Sequence, residues 1–404
     1  MDVDESMIKR GVMQPRIKFV MIISLLVLPV MACDLFGGGP AATGVPTGNT
    51  AQGTPAIGAT SSIPTSTAAA ATGSMLPAGT LILTQVGNAI AQIPGSTGGT
   101  ISLKPEQYPP QASPNGRYGV RFKPNNKLSD LVLIDFSTTT PDNGKDIPSG
   151  KGLNGPQVTW KDDSTGFAFY EFPLDPGAHI SGVISYYDVA GGQTKQLVAS
   201  PGQGNIASSV AFSPDARYLA YAVGSAGGEG SGGNSNRLFL LDTTNSQSIA
   251  LPSGASQFNQ WLRDSKGFVV TQIDASAISR VAIYNVGDLN TAKVLTPTGT
   301  TDYLVDVSPD GKRVVVSSSP TPTAGQPPQP VNIVIMNLDG SGRKALTKFT
   351  SPDQTITGLI WGNDGIYYSI STGENSDTTW RMDLDGSNAA QIAKGTLNGI
   401  VGTH

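Results

Sequence analysis

Six Asp or Asn residues recur at nearly constant spacing and are the first candidates for chemistry in this sequence. They are Asn115, Asp163, Asp215, Asp264, Asp310 and Asp364, at intervals of 48, 52, 49, 46 and 54 residues. Carboxylates can bind metals or move protons, but Asp and Asn at turns also accept hydrogen bonds from nearby backbone N–H groups. Because equally spaced turns ring one face and do not converge, we interpret these residues as turn-forming.

Other residues suited to nucleophilic or metal-binding chemistry are few. The chain has one cysteine, Cys33, and two histidines, His179 and His404. A single cysteine cannot form a disulfide within the chain, and this Cys/His content does not suit a zinc site. The sequence also lacks the Gly-x-Ser-x-Gly motif of a hydrolase nucleophile. We therefore predict no catalytic residue, no metal site and no cofactor, and the sequence assigns no ligand-binding residue.

Composition narrows the classes of partner. Of the 404 residues, 26 are Lys or Arg and 30 are Asp or Glu, so the formal net charge is -4. This balance offers no basic excess that would attract nucleic acid. Gly (49) and Pro (29) are abundant, whereas 14% of residues are charged. We expect a turn-rich monomer that does not bind nucleic acid.

The first 32 residues have the pattern of a secretory signal peptide. Basic residues within 9–18 precede an apolar run over 19–31. That run is shorter than the ~20 residues needed to span a bilayer. It leads into Val30-Met31-Ala32-Cys33, which resembles the lipobox of bacterial lipoproteins, and this resemblance implies lipid attachment to Cys33. The alternative is an ordinary signal peptide followed by a free cysteine.

This N-terminal pattern predicts both location and domain organisation. A lipid on Cys33 would anchor the chain in the outer leaflet of the cytoplasmic membrane, on the periplasmic side in a cell with two membranes. Residues 34–78 are mainly Gly, Ala, Thr, Ser and Pro, with Asp34 as their one charge. Such a segment cannot bury enough apolar surface to fold, and its flexible reach is about 35–40 Å. We predict a signal peptide over 1–32, a lipidated linker over 33–78 and a folded domain over 79–404.

The elements around the six turn residues are predicted β-strands. An apolar residue lies three positions before each turn residue, and a β-rich run follows it, such as Tyr218–Tyr221 after Asp215. A third run leads to a hairpin, clearest at Asn337-Leu338-Asp339-Gly340, because Asp-Gly tolerates positive φ. A fourth run completes the unit. Four antiparallel strands every ~50 residues describe the blade of an all-β propeller.

The Ser-Pro-Asp-Gly turn and the Leu-Asp-Gly hairpin together resemble the WD40-like repeat of the TolB propeller family. The resemblance covers 79–404, although two units have Trp160-Lys161 and Trp261-Leu262 in place of Ser-Pro. It implies a propeller that binds proteins and does not by itself imply catalysis, because a fold does not fix a function.

The two ends of the domain predict the number of blades. Residues 396–401 match the first strand at 355–360 in character, but no further strand follows them. Residues 81–84, 88–93 and 100–103 read as second, third and fourth strands without a first. Joined, they make a seventh blade and remove an exposed sheet edge. Six blades, with the N-terminal strands packed outside, is the alternative.

The tryptophans and long loops predict where packing and binding occur. Trp160, Trp261 and Trp361 end inner strands, which favours packing between blades. Long connections over 224–236 and 319–330 follow second strands and share a face with the crossovers between blades. Because binding often resides on loops of a rigid scaffold, we expect a partner to meet this long-loop face.

Two functions fit these observations. The first is a lipid-anchored extracytoplasmic propeller that serves as a binding platform for a cell-envelope protein or glycan. The alternative is a propeller enzyme acting on glycans or lactones, which would place several acidic or histidine residues around the mouth of the central channel. The predicted inner strands are rich in Val, Ser, Thr, Phe and Trp, with Asp306 a rare acid, so we favour the binding platform.

Overall fold

A computed structural model describes most of the C-terminal part of the chain. The described residues are 76, 78–85, 88–92, 100–102, 110–125, 128–138, 144–147, 158–171, 183–199, 205–225, 237–252, 254–274, 276, 278–373 and 376–402. Their regular secondary structure consists of β-strands. Within these ranges, no helix has the length and apolar character that crossing a membrane requires. The predicted signal peptide and nearly all of the predicted linker lie outside the described residues.

The strands are short, as expected for a repeat built from runs of β-branched and aromatic residues between turns. In chain order they are β1 (Leu81–Gln85), β2 (Asn88–Gln92), β3 (Thr100–Ser102), β4 (Gln111–Ala112), β5 (Tyr118–Asn125), β6 (Leu128–Asp135), β7 (Lys145–Asp146), β8 (Val158–Trp160), β9 (Gly166–Glu171), β10 (Val183–Asp188), β11 (Gln193–Val198), β12 (Asn205–Phe212), β13 (Tyr218–Ser225), β14 (Arg237–Asp242), β15 (Gln247–Ala250), β16 (Ala255–Trp261), β17 (Gly267–Ile273), β18 (Ser279–Asn285), β19 (Asp288–Val294), β20 (Thr300–Val307), β21 (Arg313–Pro320), β22 (Asn332–Asn337), β23 (Lys344–Ala345), β24 (Thr355–Trp361), β25 (Ile366–Ser371), β26 (Thr378–Met382), β27 (Ala390–Lys394) and β28 (Thr396–Ile400).

These strands form seven four-stranded antiparallel sheets, the blades of a β-propeller. The first blade has the order β28-β1-β2-β3, and the second to seventh blades take four consecutive strands each, from β4–β7 to β24–β27. In the first blade, Leu81 of β1 pairs with Ile400 of β28 and Thr84 pairs with Thr396. The C-terminal strand therefore completes the N-terminal blade, which is the seven-blade arrangement predicted from the chain ends.

The core is divided into seven apolar clusters, one between each pair of neighbouring blades around the ring. Phe167 and Phe268 are fully buried at the centres of two of them. Burying one such side chain contributes about 1.5–3 kcal/mol. Because the last cluster joins Tyr367 of the seventh blade to Leu83 of the first, apolar packing continues around the whole ring.

The connection between the first and second strands of each blade defines one face of the propeller, which we call the turn face. Gly116 and Gly311 follow their turn residues with φ values of +70° and +66°, where glycine carries no steric penalty. Leu76 packs against the first of these turns, and its N–H donates to the Gly116 carbonyl at 2.8 Å. The packed chain thus includes Leu76, three residues before the predicted domain boundary.

Candidate functional site

The six recurrent turn residues lie on the turn face and act as backbone acceptors in five of the six turns. In each of the five, the side-chain oxygen accepts the N–H two residues later, for example Arg117 N–H to Asn115 at 3.0 Å and Lys312 N–H to Asp310 at 3.1 Å. The Ser308 hydroxyl also donates to Asp310 at 2.5 Å. This hydrogen bond, against a smaller opposing effect of burial, holds the pKa of Asp310 below its usual value.

The sixth turn residue, Asp364, has different partners. Its carboxylate accepts the Tyr367 hydroxyl at 2.8 Å and the Arg381 guanidinium at 3.2 Å. Asp364 therefore joins its turn to the second and third strands of the seventh blade. The predicted role as a backbone acceptor holds for the other five turn residues.

The blades alternate between two kinds. The second, fourth and sixth carry the Ser-Pro turn, and the third, fifth and seventh carry the inner-strand tryptophan, so we call them Ser-Pro blades and Trp blades. The motif thus has a period of two blades, whereas the spacing of the turn residues predicts a period of one blade. The Ser-Pro pairs and the tryptophans can both be identified in the sequence. Their alternation is explained by contacts between the two motifs at the interface of neighbouring blades.

Within two of these blade pairs the same contacts join the Ser-Pro blade to the Trp blade that follows it. The Trp160 indole N–H donates to the Gln111 carbonyl at 3.1 Å, and that of Trp261 donates to the Ala211 carbonyl at 3.0 Å. Each indole also stacks on a tyrosine of the Ser-Pro blade, Tyr118 or Tyr218, with centroids 6.3 and 6.1 Å apart.

Serines in the left-handed conformation add a second link to the same two pairs. Ser164 and Ser265 have φ values of 60° and 58°. Their hydroxyls accept the backbone N–H of Asn115 at 3.1 Å and of Asp215 at 3.0 Å.

The sixth and seventh blades, which form the third pair, are joined by different contacts. Trp361 lies under the Arg313 guanidinium, 5.0 Å from the ring centroid, and its backbone N–H donates to Asp306 at 2.7 Å. All three tryptophans are less than 10% exposed, so the packing role predicted for them is confirmed.

A cavity of about 290 Å³ lies on the turn face at the mouth of the central channel. It is bounded by the ends of the inner strands of the first to fifth blades and by the turns that follow them. We call this cavity the mouth. Residues representative of its wall are Gln111, Thr159, Pro114, Pro214, Asp162 and Arg263.

Two polar neutral side chains of the mouth use their acceptor atoms to join neighbouring blades. The Gln111 Oε1 accepts Val158 N–H at 3.2 Å, and the Thr159 hydroxyl oxygen accepts Phe212 N–H at 3.3 Å. An amide has separate NH₂ donors, and a hydroxyl can donate as well as accept. The wall of the mouth therefore offers hydrogen-bond donors to a ligand.

One turn position supplies the charged side chains of the mouth. Directly before the turn residue, the Ser-Pro blades have Pro114, Pro214 and Pro309, whereas the Trp blades have Asp162, Arg263 and Asn363. Pro pre-sets φ for the first central position of a tight turn. The Trp blades place an acid, a base and an amide at this position of the same scaffold.

Asp306 lies beside the mouth at the end of the inner strand of the sixth blade. It is 8% exposed, and its two oxygens accept the N–H groups of Val307 and Trp361 at 2.9 and 2.7 Å. Burial raises the pKa of Asp306 to about 7, against the lowering effects of the two N–H groups, the Arg263 charge and Gln260. This rare inner-strand acid is thus built into the joint between three blades.

The described residues bring together no group of three or more His, Cys, Asp or Glu side chains that could hold a metal ion. Cys33, His179 and His404 lie outside these residues, as do 226–236 of the first predicted long loop. The second long loop, 321–331, is described and is largely exposed. It lies on the face opposite the mouth, and nothing in the described residues tests the prediction that a partner meets this long-loop face. The cavity that could hold a partner is on the turn face.

Comparison with solved structures supports the fold. The chain is similar to a structure from a study of two prolyl endopeptidases at 14% identity, with a TM-score of 0.58, covering 80% of this chain and 51% of that one. It is similar to prolyl oligopeptidase B from Galerina marginata at 14% identity, with a TM-score of 0.52, covering 72% of this chain and 42% of that one. At this identity the likeness is one of fold, and the predicted all-β propeller is confirmed.

TolB from Acinetobacter baumannii is a further match. It is 17% identical with a TM-score of 0.45, and the alignment covers 70% of this chain and 64% of TolB. The chain thus spans 42% to 64% of the length of these three structures. No protein-family model matches the sequence. No curated protein matches it either.

Proposed function

We propose that this chain is a lipid-anchored extracytoplasmic protein whose propeller binds a partner protein at the mouth on its turn face. The observation that carries the proposal is the mouth itself. It is a concave site of about 290 Å³ on a closed ring, with hydrogen-bond donors and one guanidinium in its wall. Concave sites with a few placed polar groups on a rigid scaffold are typical binding sites.

Protein is favoured over glycan as the partner because of how the aromatic side chains are used. A sugar ring commonly binds by stacking on an exposed aromatic face. Trp160 and Trp261 line the mouth but are 9% and 5% exposed, and their faces pack on Tyr118 and Tyr218. The wall of the mouth combines apolar residues with amide, hydroxyl and proline surfaces, and this mixture suits the backbone and side chains of a peptide segment.

The binding proposal is tested by a matched pair of arginine substitutions in the full chain. Pro214→Arg places a bulky charge in the mouth, and Arg263 shows that an arginine is compatible with this turn position. Thr323→Arg makes the same charge change in the exposed loop of the opposite face. Affinity capture from envelope extracts is expected to recover the same partner with wild type and Thr323→Arg, and not with Pro214→Arg. Equal capture by both variants would place the binding surface elsewhere.

The anchor is tested separately. The Cys33→Ser variant removes the sulfur to which a lipid would be attached, so we expect it to move from the membrane fraction to the soluble extracytoplasmic fraction. If Cys33→Ser stays with the membranes as wild type does, lipid anchoring at this residue is refuted.

A further inference from the structure

We propose that Arg263 binds a carboxylate of the partner, so that the mouth recognises a peptide through its C-terminal carboxylate or through an acidic side chain. This inference rests on the proposed binding function and names the chemistry of the bound segment. It is carried by three observations: the position of Arg263, the absence of a hydrogen bond or ion pair to it within the described residues, and the donors that share its cavity.

The position of Arg263 differs from that of the other turn arginines. Arg117 and Arg217, two residues after their turn residues, pair with Asp135 and Asp242 at 3.3 and 3.4 Å. These pairs stabilise the blades in which they occur. Arg263 lies directly before its turn residue and lines the mouth.

In the described part of the chain, Arg263 makes no hydrogen bond and no ion pair. The positive charge of Arg263 lowers the pKa of Asp306. The two oxygens of that carboxylate accept the backbone N–H groups of Val307 and Trp361, and neither accepts a hydrogen bond from Arg263. An arginine that lines a cavity and makes no ion pair within the chain retains its five donors for a ligand. A planar guanidinium matches a carboxylate with two parallel hydrogen bonds.

The cavity around Arg263 suits one negative charge. Gln111 and Thr159 each accept one backbone N–H, and their NH₂ and O–H groups can donate to oxygen atoms of a ligand. Asp162 also lines the mouth and opposes a second negative charge. A single carboxylate surrounded by peptide carbonyl groups therefore fits better than a doubly charged phosphate.

The packing around Arg263 indicates that its charged end can be changed without loss of the fold. A Cβ on Gly311 would lie 3.5 and 3.6 Å from the Arg263 Cβ and Cγ atoms, so the stem of the arginine runs beside the next turn. Glutamine keeps both of these carbon atoms and loses the charge. Arg263→Gln thus removes the interaction with a carboxylate and preserves the local packing.

The experiment measures binding of randomised hexapeptides to the purified full chain in detergent. One library has free C-terminal carboxylates, a second has C-terminal amides and no Asp or Glu, and a third has C-terminal amides and one Asp or Glu. Wild type is expected to bind the first or the third library about 10- to 100-fold more tightly than the second, since hydrogen bonds to charged groups are the strong ones. Preference for the first assigns the carboxylate to the chain end, and preference for the third assigns it to a side chain.

Matched variants decide between the mouth and the rest of the surface. Arg263→Gln is expected to bind all three libraries equally weakly, Arg263→Lys to keep part of the preference, and Arg217→Gln to keep all of it. The inference is overturned if Arg263→Gln retains the preference or if wild type shows none. If wild type shows none but still captures a partner that Pro214→Arg loses, the carboxylate inference falls and the proposed function stands. If wild type shows no preference and captures no partner, both fall.

Discussion

Replacing Asp306 with asparagine should change how the stability of the propeller depends on pH. The carboxyl group is 8% exposed at the joint between the fifth, sixth and seventh blades, and burial raises its pKa to about 7. The usual value for an aspartate is near 3.9. Because the folded state favours the neutral acid, the stabilising contribution of the acid is complete below about pH 4. It is lost as the pH rises to about 7.

The magnitude follows from the difference between these two pKa values. About three pKa units at 1.36 kcal/mol each give a loss of about 4 kcal/mol in the free energy of unfolding between pH 4 and pH 8. Asparagine is nearly isosteric, is neutral at every pH, and has a carbonyl oxygen that can accept the Trp361 N–H. The stability of Asp306→Asn relative to wild type should therefore rise by about 4 kcal/mol across this range.

The assay is urea unfolding of the full chain at pH 4, 5, 6, 7 and 8, with the variant and wild type measured side by side. Asp310→Asn is the matched control. Its carboxylate accepts the Ser308 hydroxyl and has a lowered pKa, so it stays ionised between pH 5 and 8. The Asp310→Asn difference should therefore be constant over this interval. A pH-independent difference for Asp306→Asn would refute our account of this joint.

Two further substitutions test the packing of the propeller. Arg343→Met removes the guanidinium that lies 2.6 Å from the fully buried Asp302 and should reduce the free energy of unfolding by about 3–5 kcal/mol. Combining Arg343→Met with Asp302→Asn should recover much of this loss in the same urea assay. An Arg343→Met variant as stable as wild type would contradict this reasoning. Gly116→Ala would place a Cβ 2.1 Å from the Leu76 carbonyl oxygen, whereas the Cβ of Gly311→Ala would meet no atom closer than 3.5 Å. Hydrogen exchange of the Leu76 amide should therefore accelerate in Gly116→Ala and not in Gly311→Ala. Equal protection of this amide in both variants would show that Leu76 does not pack on this turn.

Much of the fold could be predicted because each repeat is defined by residues that lie close together in the sequence. The turn residue, the apolar residue three positions earlier and the following strand all lie within a short stretch such as Phe212–Tyr221. Register within a blade follows from those short hairpins. The closing strand was predictable for the same reason, since 396–401 has the character of a first strand and lacks a blade of its own.

The mouth could not be predicted because its residues meet only when the ring closes. Gln111 and Thr159 lie four residues before their turn residues and Arg263 lies one residue before its own, but the residue type at these positions changes from blade to blade. The buried pair Arg343–Asp302 is 41 residues apart, beyond the reach of any local periodicity. The pairing of Ser-Pro blades with Trp blades was missed because its physical basis, such as the Trp261 indole donating to the Ala211 carbonyl, lies at the interface between two blades.

Site-specific photo-crosslinking in living cells tests the central claim most directly. A photoreactive amino acid is placed at Pro214 in the mouth, and in a second strain at Thr323 in the exposed loop of the opposite face. Our account predicts a covalent adduct with one partner protein from position 214, lost when Arg263→Gln is added in the same chain, and no such adduct from position 323. An adduct formed from position 323 and not from position 214 would contradict it and would place the partner on the long-loop face.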